Sequence, residues 1–336
     1  MDNNFNIYEA PNAEYQMMPK SKPNKFIEIL FALLKCIGYV GIWLGTQYVL
    51  LVGLAIFIML QNRGATMAEL VMLLKEATMK HGIALTVATN LIALAIFILI
   101  FVISKKSFLK KINISLPHKS SYLPTIAIGS SGQYVTALVL GMILTILPEK
   151  WIEEFNKTNE MVESASGFLA FFAVVILAPI FEEILCRGLI LNTLRKAMPK
   201  WVAIVLSSAI FGIIHGNPIQ FIYATALGIL LGWLYTKYDS ILIPMLCHLV
   251  FNLMSTINSY LDMENQIVTL IMGLIIFASV PVFALSLVYI CLKKIKKEEA
   301  IIYETTPRVE YSEYNADALR KIEEEIESKN NNGDTL

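Results

Sequence analysis

Eight long apolar runs constrain the fold of this chain more than any other feature of its sequence. A run of about 20 mostly apolar residues lets an α-helix cross the hydrocarbon core of a bilayer. Only 16% of the residues are charged, against about 25% in soluble domains. The sequence therefore predicts an all-α, polytopic membrane helix bundle of about eight transmembrane helices with a polar intramembrane site. The runs lie near residues 36–60, 83–103, 122–147, 167–194, 201–216, 218–236, 240–258 and 267–292.

Three of the runs carry features that predict tight packing or a tight turn. The third contains Gly129-Ser-Ser-Gly-Gln133, which favours a kinked or protein-packed helix. The fifth and sixth are short and are separated by the helix breaker Asn217-Pro218. They could form a tight hairpin that stops short of the outer surface. In the sixth run, the small residues Ala224, Gly228 and Gly232 recur every four positions, a pattern that predicts close helix packing and no chemistry.

Two segments between the runs have helical patterns of their own. Thr66 and Glu69 have the spacing of a capping box, which predicts a helix from here to about Gly82. Residues 150–163 place apolar side chains among acidic ones, as in a helix that lies on a membrane surface.

The distribution of lysine and arginine predicts the orientation. With eight spans, one side of the membrane receives 17 of these residues and the other receives five, Arg63, Lys75, Lys80, Lys150 and Lys157. Cytoplasmic loops carry the excess of positive charge. We therefore expect a multi-pass protein of the cell membrane with both termini in the cytoplasm.

The chain divides into four parts on this interpretation. Residues 1–25 are a polar cytoplasmic tail, and residues 26–160 hold transmembrane helices 1 to 3 with their loops. Residues 161–297 hold helices 4 to 8, and residues 298–336 form an acidic, mostly disordered cytoplasmic tail. The formal net charge of +0 and the absence of a basic face exclude a nucleic-acid partner. The lipid bilayer is the partner that the composition itself requires, and a membrane-protein partner is possible.

Charged residues interrupt the fourth run, at Glu182, Glu183 and Arg187. Each costs about 2.5–3.5 kcal/mol at the centre of a membrane helix, so such residues usually mark a functional site. Glu183 and Arg187 are four residues apart and share a helix face, in the favourable order for an ion pair. Glu182 is rotated by about 100° and has no local partner. Glu182 is thus the better candidate for chemistry. The alternative is that these charged residues have a purely structural role, as an ion pair that holds packed helices together.

Polar residues in two further runs reach the same depth of the membrane. His215 ends the fifth run, and His248 and Asn252 lie four residues apart in the seventh. A lone histidine in an apolar helix is often only a packing residue. Three helices that converge with polar groups at one depth predict a site instead.

These groups are suited to hydrolysis. A carboxylate can take a proton from water and return it later, while donors such as imidazole and amide groups stabilise the developing oxyanion. A zinc site of His215, His248 and Glu182 is chemically plausible. No His-Glu-x-x-His pairing occurs, so the sequence does not by itself indicate zinc, and we slightly favour a site without a cofactor. A serine or aspartyl protease is disfavoured, because these spans lack aspartate and a serine with a placed base.

The motifs Glu182-Glu183-x-x-x-Arg187, Phe211-x-x-x-His215 and His248-x-x-x-Asn252 resemble those of the CAAX protease and bacteriocin-processing (CPBP, or Abi) family. Its best-known branch is the type II CAAX prenyl endopeptidases. The resemblance covers about residues 165–258. It implies an all-α bundle of about eight membrane helices that encloses a cavity open to the cytoplasm.

The resemblance also implies roles for the motif residues. Glu182 would activate the hydrolytic water, and His215 would help to hold it. His248 and Asn252 would stabilise the oxyanion. Glu183 and Arg187 would brace the site together with Phe211, although Glu183 is sometimes given a catalytic part. Both metal-dependent and glutamate-dependent mechanisms have been assigned to this family.

The sequence therefore predicts an intramembrane endopeptidase that hydrolyses a peptide or a membrane-associated protein with a glutamate-activated water. Two alternatives stay open. A scaffold or a bacteriocin immunity protein could keep the same helices without catalysis, and a transporter could use buried charged groups to relay protons.

Overall fold

A computed structural model of the protein describes residues 24–163 and 167–293, and every regular element in them is helical. The predicted tails, residues 1–25 and 298–336, lie almost wholly outside the described residues. The ten helices are α1 (Lys25–Gln61), α2 (Met67–Ile103), α3 (Phe108–Ile112), α4 (Tyr122–Leu144), α5 (Glu149–Glu163), α6 (Gly167–Ala197), α7 (Lys200–Ile213), α8 (Pro218–Tyr238), α9 (Leu242–Ser259) and α10 (Gln266–Leu292).

The predicted membrane bundle is confirmed. Among the described residues, seven helices are long and apolar enough to cross a membrane, namely α1, α2, α4, α6, α8, α9 and α10. The predicted fifth run forms α7, which has only 14 residues. This helix ends at Ile213 because the chain turns at Gly216, whose φ of 69° lies in the left-handed region that glycine adopts easily. Together these helices make a multi-pass membrane protein.

One predicted boundary is wrong. The capping box at Thr66 and Glu69 is present and begins a helix, but that helix does not end near Gly82. It continues to Ile103 as a single helix of 37 residues. A glycine ends a helix when it takes a left-handed conformation, and Gly82 is buried within α2 and has no positive φ.

Close contacts between backbones hold α4 against α9 and α7 against α8. A Cβ on Gly129 would lie 2.6 Å from the carbonyl oxygen of Cys247, so α4 is packed against protein at this point. A Cβ on Gly228 would lie 2.9 Å from Cβ of Ser208, and one on Gly232 would lie 3.1 Å from Ile204. The packing predicted for the glycines of the sixth run is confirmed.

The helix α6 occupies the middle of the main apolar core, and the other helices surround it. The α1–α2 hairpin covers one side, where the Phe97 and Phe181 rings are stacked at 6.5 Å. Two π-helical stretches, Phe172–Leu177 and Ile184–Leu191, widen α6 on either side of its central segment. Pro179 follows the first stretch, and its missing N–H and bulky ring disfavour a regular α-helical turn there. Such π-helical turns are frequent at functional sites.

Candidate active site

The central segment of α6 carries both glutamates, and the two side chains have different surroundings. The Glu183 side chain is completely buried, whereas 22% of the Glu182 side chain is exposed. The two residues are neighbours in a helix and therefore point in directions about 100° apart. One carboxylate is enclosed by protein and the other is accessible.

Glu183 forms an ion pair with Arg187, as the spacing of the two residues predicts. Nη1 of Arg187 donates to Oε1 of Glu183 at 2.7 Å, and both side chains are buried. Nη2 of the same guanidinium donates to the carbonyl oxygen of Gly228 on α8 at 3.0 Å. The guanidinium lies 4.7 Å from the centre of the Phe211 ring on α7, a distance typical of a cation–π contact. Arg187 therefore ties α6 to α7 and α8.

His248 on α9 lies between the two glutamates. Its Nδ1 is 3.0 Å from Oε1 of Glu183, and its Nε2 is 3.7 Å from Oε2 of Glu182. With the Glu183 oxygen, which pairs with Arg187, as the acceptor, Nδ1 of His248 is the donor, and Nε2 faces Glu182. The second distance is too long for a good direct hydrogen bond, but one water molecule could contact both groups.

His215 lies just beyond the end of α7. Its Nδ1 is 2.7 Å from the carbonyl oxygen of Phe211, one turn earlier. A carbonyl can only accept, so Nδ1 donates, and in the neutral ring Nε2 is left as an acceptor. The Phe211 ring meets both histidine rings edge to face, at 4.8 Å from His215 and 5.7 Å from His248. Phe211 thereby joins the two histidines and Arg187 in one packed group.

Asn252 lies one turn after His248 and faces the same helix, α6. Its Nδ2 donates to the carbonyl oxygen of Val174 at 2.9 Å. Val174 belongs to the first π-helical stretch, where the wider turn leaves this carbonyl available to a partner. One N–H of the amide holds the two helices together, and the second remains for another acceptor.

Contacts link six of the seven residues that the sequence predicts for the site, namely Glu182, Glu183, Arg187, Phe211, His215 and His248. The seventh, Asn252, lies one turn after His248 and bonds to Val174. Sequence reasoning missed the carbonyl groups of Gly228 and Val174, because a backbone acceptor has no residue type to indicate it. It also missed Tyr223 on α8, whose hydroxyl is within electrostatic range of Glu182. Its position one turn into the second helix of the predicted hairpin was the available signal.

The fit of a metal ion to this group can be tested on its geometry. Catalytic zinc takes three protein ligands and leaves one position open. Nε2 of His248 and Oε2 of Glu182 are close enough to share an ion, but within the described residues no set of three or more such side chains is arranged to hold one. His215 would have to move toward the other two groups to complete a zinc site.

The family of this segment can now be stated. Residues 164–254 match the family described as Type II CAAX prenyl endopeptidase Rce1-like. The segment is therefore similar to the Rce1-like family. The predicted resemblance of this segment to a family of CAAX-type membrane proteases is confirmed.

A relative from Bacillus subtilis (strain 168), whose name is "Putative membrane peptidase YdiL", is 31% identical over 104 residues. The matched part makes up 29% of this chain and 43% of the relative, so the chain spans less than half of the relative's length. No solved structure matches the chain.

Proposed function

We propose that the protein is an intramembrane endopeptidase in which Glu182 activates a water molecule to attack a peptide bond. The observation that carries this proposal is the unequal environment of the two glutamates. Arg187 and His248 hold Glu183, whereas Glu182 is partly exposed and faces the far nitrogen of His248 at 3.7 Å. A general base needs such freedom, because it must reach water and substrate.

The remaining groups supply the other functions that hydrolysis needs. The free Nε2 of His215 accepts a hydrogen bond from the attacking water and so orients it. Glu182 takes a proton from the attacking water and passes it to the leaving amine, and the Nε2 of His248 faces Glu182 during this transfer. The second N–H of Asn252 donates to the oxyanion of the tetrahedral intermediate. Glu183 and Arg187 keep His248 and the helices in place.

The proposed mechanism uses no metal. It is supported by the arrangement of His248 and Glu182, which are the two side chains close enough to share an ion, whereas the described residues offer no set of three. The test is metal analysis of the purified protein followed by assay with a chelator. Stoichiometric zinc, with activity lost to the chelator and restored by zinc alone, would replace this mechanism with a metal-dependent one.

The catalytic role is tested by comparing the membrane peptidomes of cells that produce the wild type, Glu182→Gln and Glu153→Gln. Glu153 is an exposed glutamate on α5 and serves as the matched control. We expect Glu182→Gln to lower the cleavage rate at least about 100-fold, the contribution typical of a general base. If Glu182→Gln keeps the full cellular function, the protein is a scaffold or an immunity protein and the protease proposal is wrong.

A further inference from the structure

Three helices meet at Thr193, near the end of α6. Nζ of Lys111 on α3 donates to Oγ1 of Thr193 at 2.8 Å, and the Tyr39 hydroxyl of α1 approaches the same side chain. The Thr193 hydroxyl itself donates to the carbonyl oxygen of Leu189 at 2.6 Å. Thr193 is buried, whereas Lys111 is only partly buried. The ammonium group of Lys111 is therefore held at the boundary between the core and the surface.

The backbone of α3 is fixed against α6 as well. Nδ2 of Asn192 donates to the carbonyl oxygen of Lys111 at 2.8 Å. One turn earlier in α6, a Cβ on Gly188 would lie 2.8 Å from the Ile112 side chain, so the two helices approach closely there. An ammonium group has three N–H donors, and the hydrogen bonds among the described residues use one of those of Lys111. Lys111 thus has a fixed position and two donors for a further acceptor.

Two more lysines face this junction. Lys35 lies one turn before Tyr39 on the same face of α1, and Lys196 lies three residues after Thr193 on the same face of α6. Both side chains are exposed, and the charges of both act on Lys111. Three ammonium groups from three different helices therefore converge at one place.

No carboxylate of the described residues forms an ion pair with Lys35, Lys111 or Lys196. Burial first, and then repulsion by the neighbouring cations, lowers the pKa of Lys111 to about 8. A partly buried cation with further cations beside it is unfavourable unless an anion is present. A negatively charged ligand would relieve this repulsion.

Apolar side chains around the lysines indicate which kind of anion fits. Phe31 and Leu34 on α1 and Leu109 on α3 are exposed. They lie within four residues of Lys35 or Lys111 in the chain. Since α1 and α6 are long and apolar enough to cross a membrane, lipid acyl chains would contact such side chains, and the lysines would lie at the level of the headgroups. Basic pockets between membrane helices are suited to lipid headgroups that carry phosphate.

We propose that Lys35, Lys111 and Lys196 form a binding site for the phosphate group of an anionic lipid headgroup, at the end of the bundle where α1, α3 and α6 meet. The ammonium group of Lys111 donates to a phosphate oxygen while it stays bonded to Thr193, and the two exposed lysines supply further positive charge. The predicted orientation places this end in the cytoplasm, so the lipid belongs to the inner leaflet. Glu182 is about 15 Å away along α6, so this binding does not depend on the chemistry at Glu182.

Binding is measured by native mass spectrometry of the full chain in detergent, titrated with dioleoylphosphatidylglycerol, dioleoylphosphatidylcholine or inorganic phosphate. The phosphatidylglycerol headgroup has a net negative charge, whereas choline neutralises the phosphate of the second lipid. We expect phosphatidylglycerol to form a one-to-one complex more tightly than phosphatidylcholine does. Inorganic phosphate at the same concentration should not displace it, because free phosphate gains nothing from the apolar surroundings.

The test variant is Lys111→Met with Lys196→Met, and the matched control is Lys106→Met with Lys119→Met. Each pair removes two positive charges, but Lys106 and Lys119 are exposed and are not among the charges that affect Lys111. One lysine contributes about fivefold to the binding of anionic lipid, so the test variant should bind phosphatidylglycerol about 25-fold more weakly. The control should bind it like the wild type.

Three results would overturn this assignment. Equal losses of affinity in the test and control variants would reduce the effect to the general charge of the protein. Displacement of the lipid by inorganic phosphate at the same concentration would make free phosphate the ligand. Binding of phosphatidylglycerol only after removal of residues 298–336 would make this acidic segment the partner of the lysines.

Lys196→Met alone serves as a second variant if the double variant does not fold. It changes only an exposed side chain, and thermal melting without lipid checks that it is folded. We expect its affinity for phosphatidylglycerol to fall about fivefold. An affinity equal to that of the wild type would remove Lys196 from the site and contradict the proposed convergence of the three lysines.

Discussion

At the scale of single residues, the two adjacent glutamates of α6 lie in different environments, which suit one to a structural role and the other to the proposed catalytic role. Adjacent positions point in different directions, so Glu183 enters the core, where Arg187 and His248 neutralise and hold it. Glu182 has the same chemistry, but it is partly exposed, and His248 approaches it only to 3.7 Å. The difference arises from the environment of each carboxylate and not from the residue type.

We predict that Arg187→Met destabilises the protein by about 3–5 kcal/mol. Removal of one member of a buried ion pair leaves the other as an uncompensated charge, here Glu183. The free energy of unfolding or the thermal midpoint in detergent measures the effect. Glu182→Gln should retain the stability of the wild type, and the opposite pattern would exchange the roles of the two glutamates.

Arg195→Met is the matched control for this prediction. The Arg195 guanidinium lies 3.7 Å from the Asp239 carboxylate, which is long for an ion pair, and both side chains are partly exposed. Its replacement should therefore lower the free energy of unfolding by about 0–1 kcal/mol. The double variant Glu183→Leu with Arg187→Met should recover part of the lost stability, because it removes both charges. No recovery would show that Arg187 acts through its contacts with Gly228 and Phe211 instead of through the ion pair.

Lys111 predicts a dependence of stability on pH. It lies outside the membrane-spanning helices, and burial, followed by the nearby charge of Lys196, lowers its pKa from the ordinary 10.5 to about 8. Between these two values the unfolded chain binds more protons than the folded one, so the contribution of Lys111 to stability increases as pH rises. We expect Lys111→Met to reduce the increase in thermal midpoint between about pH 7.5 and pH 9.5. An unchanged pH profile would contradict this assignment.

At the scale of the elements, close approach of helices decides which glycines matter. We predict that Gly129→Ala destabilises the protein, because its Cβ would lie 2.6 Å from a backbone carbonyl oxygen of α9, which cannot move away alone. Gly141→Ala, in the same helix, is the control. No atom lies within 4 Å of its Cβ, so this change should stabilise by about 0.5–1 kcal/mol through helix propensity. If Gly129→Ala and Gly141→Ala change the thermal midpoint equally, the contact between α4 and α9 is not tight.

The elements also differ in how well the sequence predicts them. The apolar runs indicate the helices, since length and hydrophobicity are local properties. The π-helical stretches of α6 were not predicted, and neither was the continuity of α2 through Gly82. Tertiary packing decides both features. Gly82, for example, is buried within α2 and stays helical, whereas a glycine at an exposed helix end often terminates the helix.

At the scale of the whole molecule, the α1–α2 hairpin completes the core around α6. The Phe97 ring covers Phe181, and the Cys36 sulfur contacts the carbonyl oxygen of Ile190. Although the sequence suggests a separate N-terminal part at residues 26–160, the main apolar cluster extends from Ala32 to Ile241.

We therefore predict that residues 105–336 produced alone do not give a stable protein, and that co-expression of residues 1–104 restores it. The measurement is the yield of monodisperse protein by size-exclusion chromatography in detergent, followed by thermal melting. If the fragment 105–336 folds and melts like the full chain, the α1–α2 hairpin is dispensable for stability.

The sequence by itself determined the helical membrane class and the order of the apolar spans, and it predicted the residues of the candidate site. It did so because apolarity, helical spacing and buried charge are properties of short segments. The tertiary structure alone decided that His248 binds Glu183 through one nitrogen and faces Glu182 through the other, and that Arg187 binds a carbonyl of Gly228. These contacts join positions 41 to 66 residues apart. They depend on how the helices pack in three dimensions, which no local pattern records.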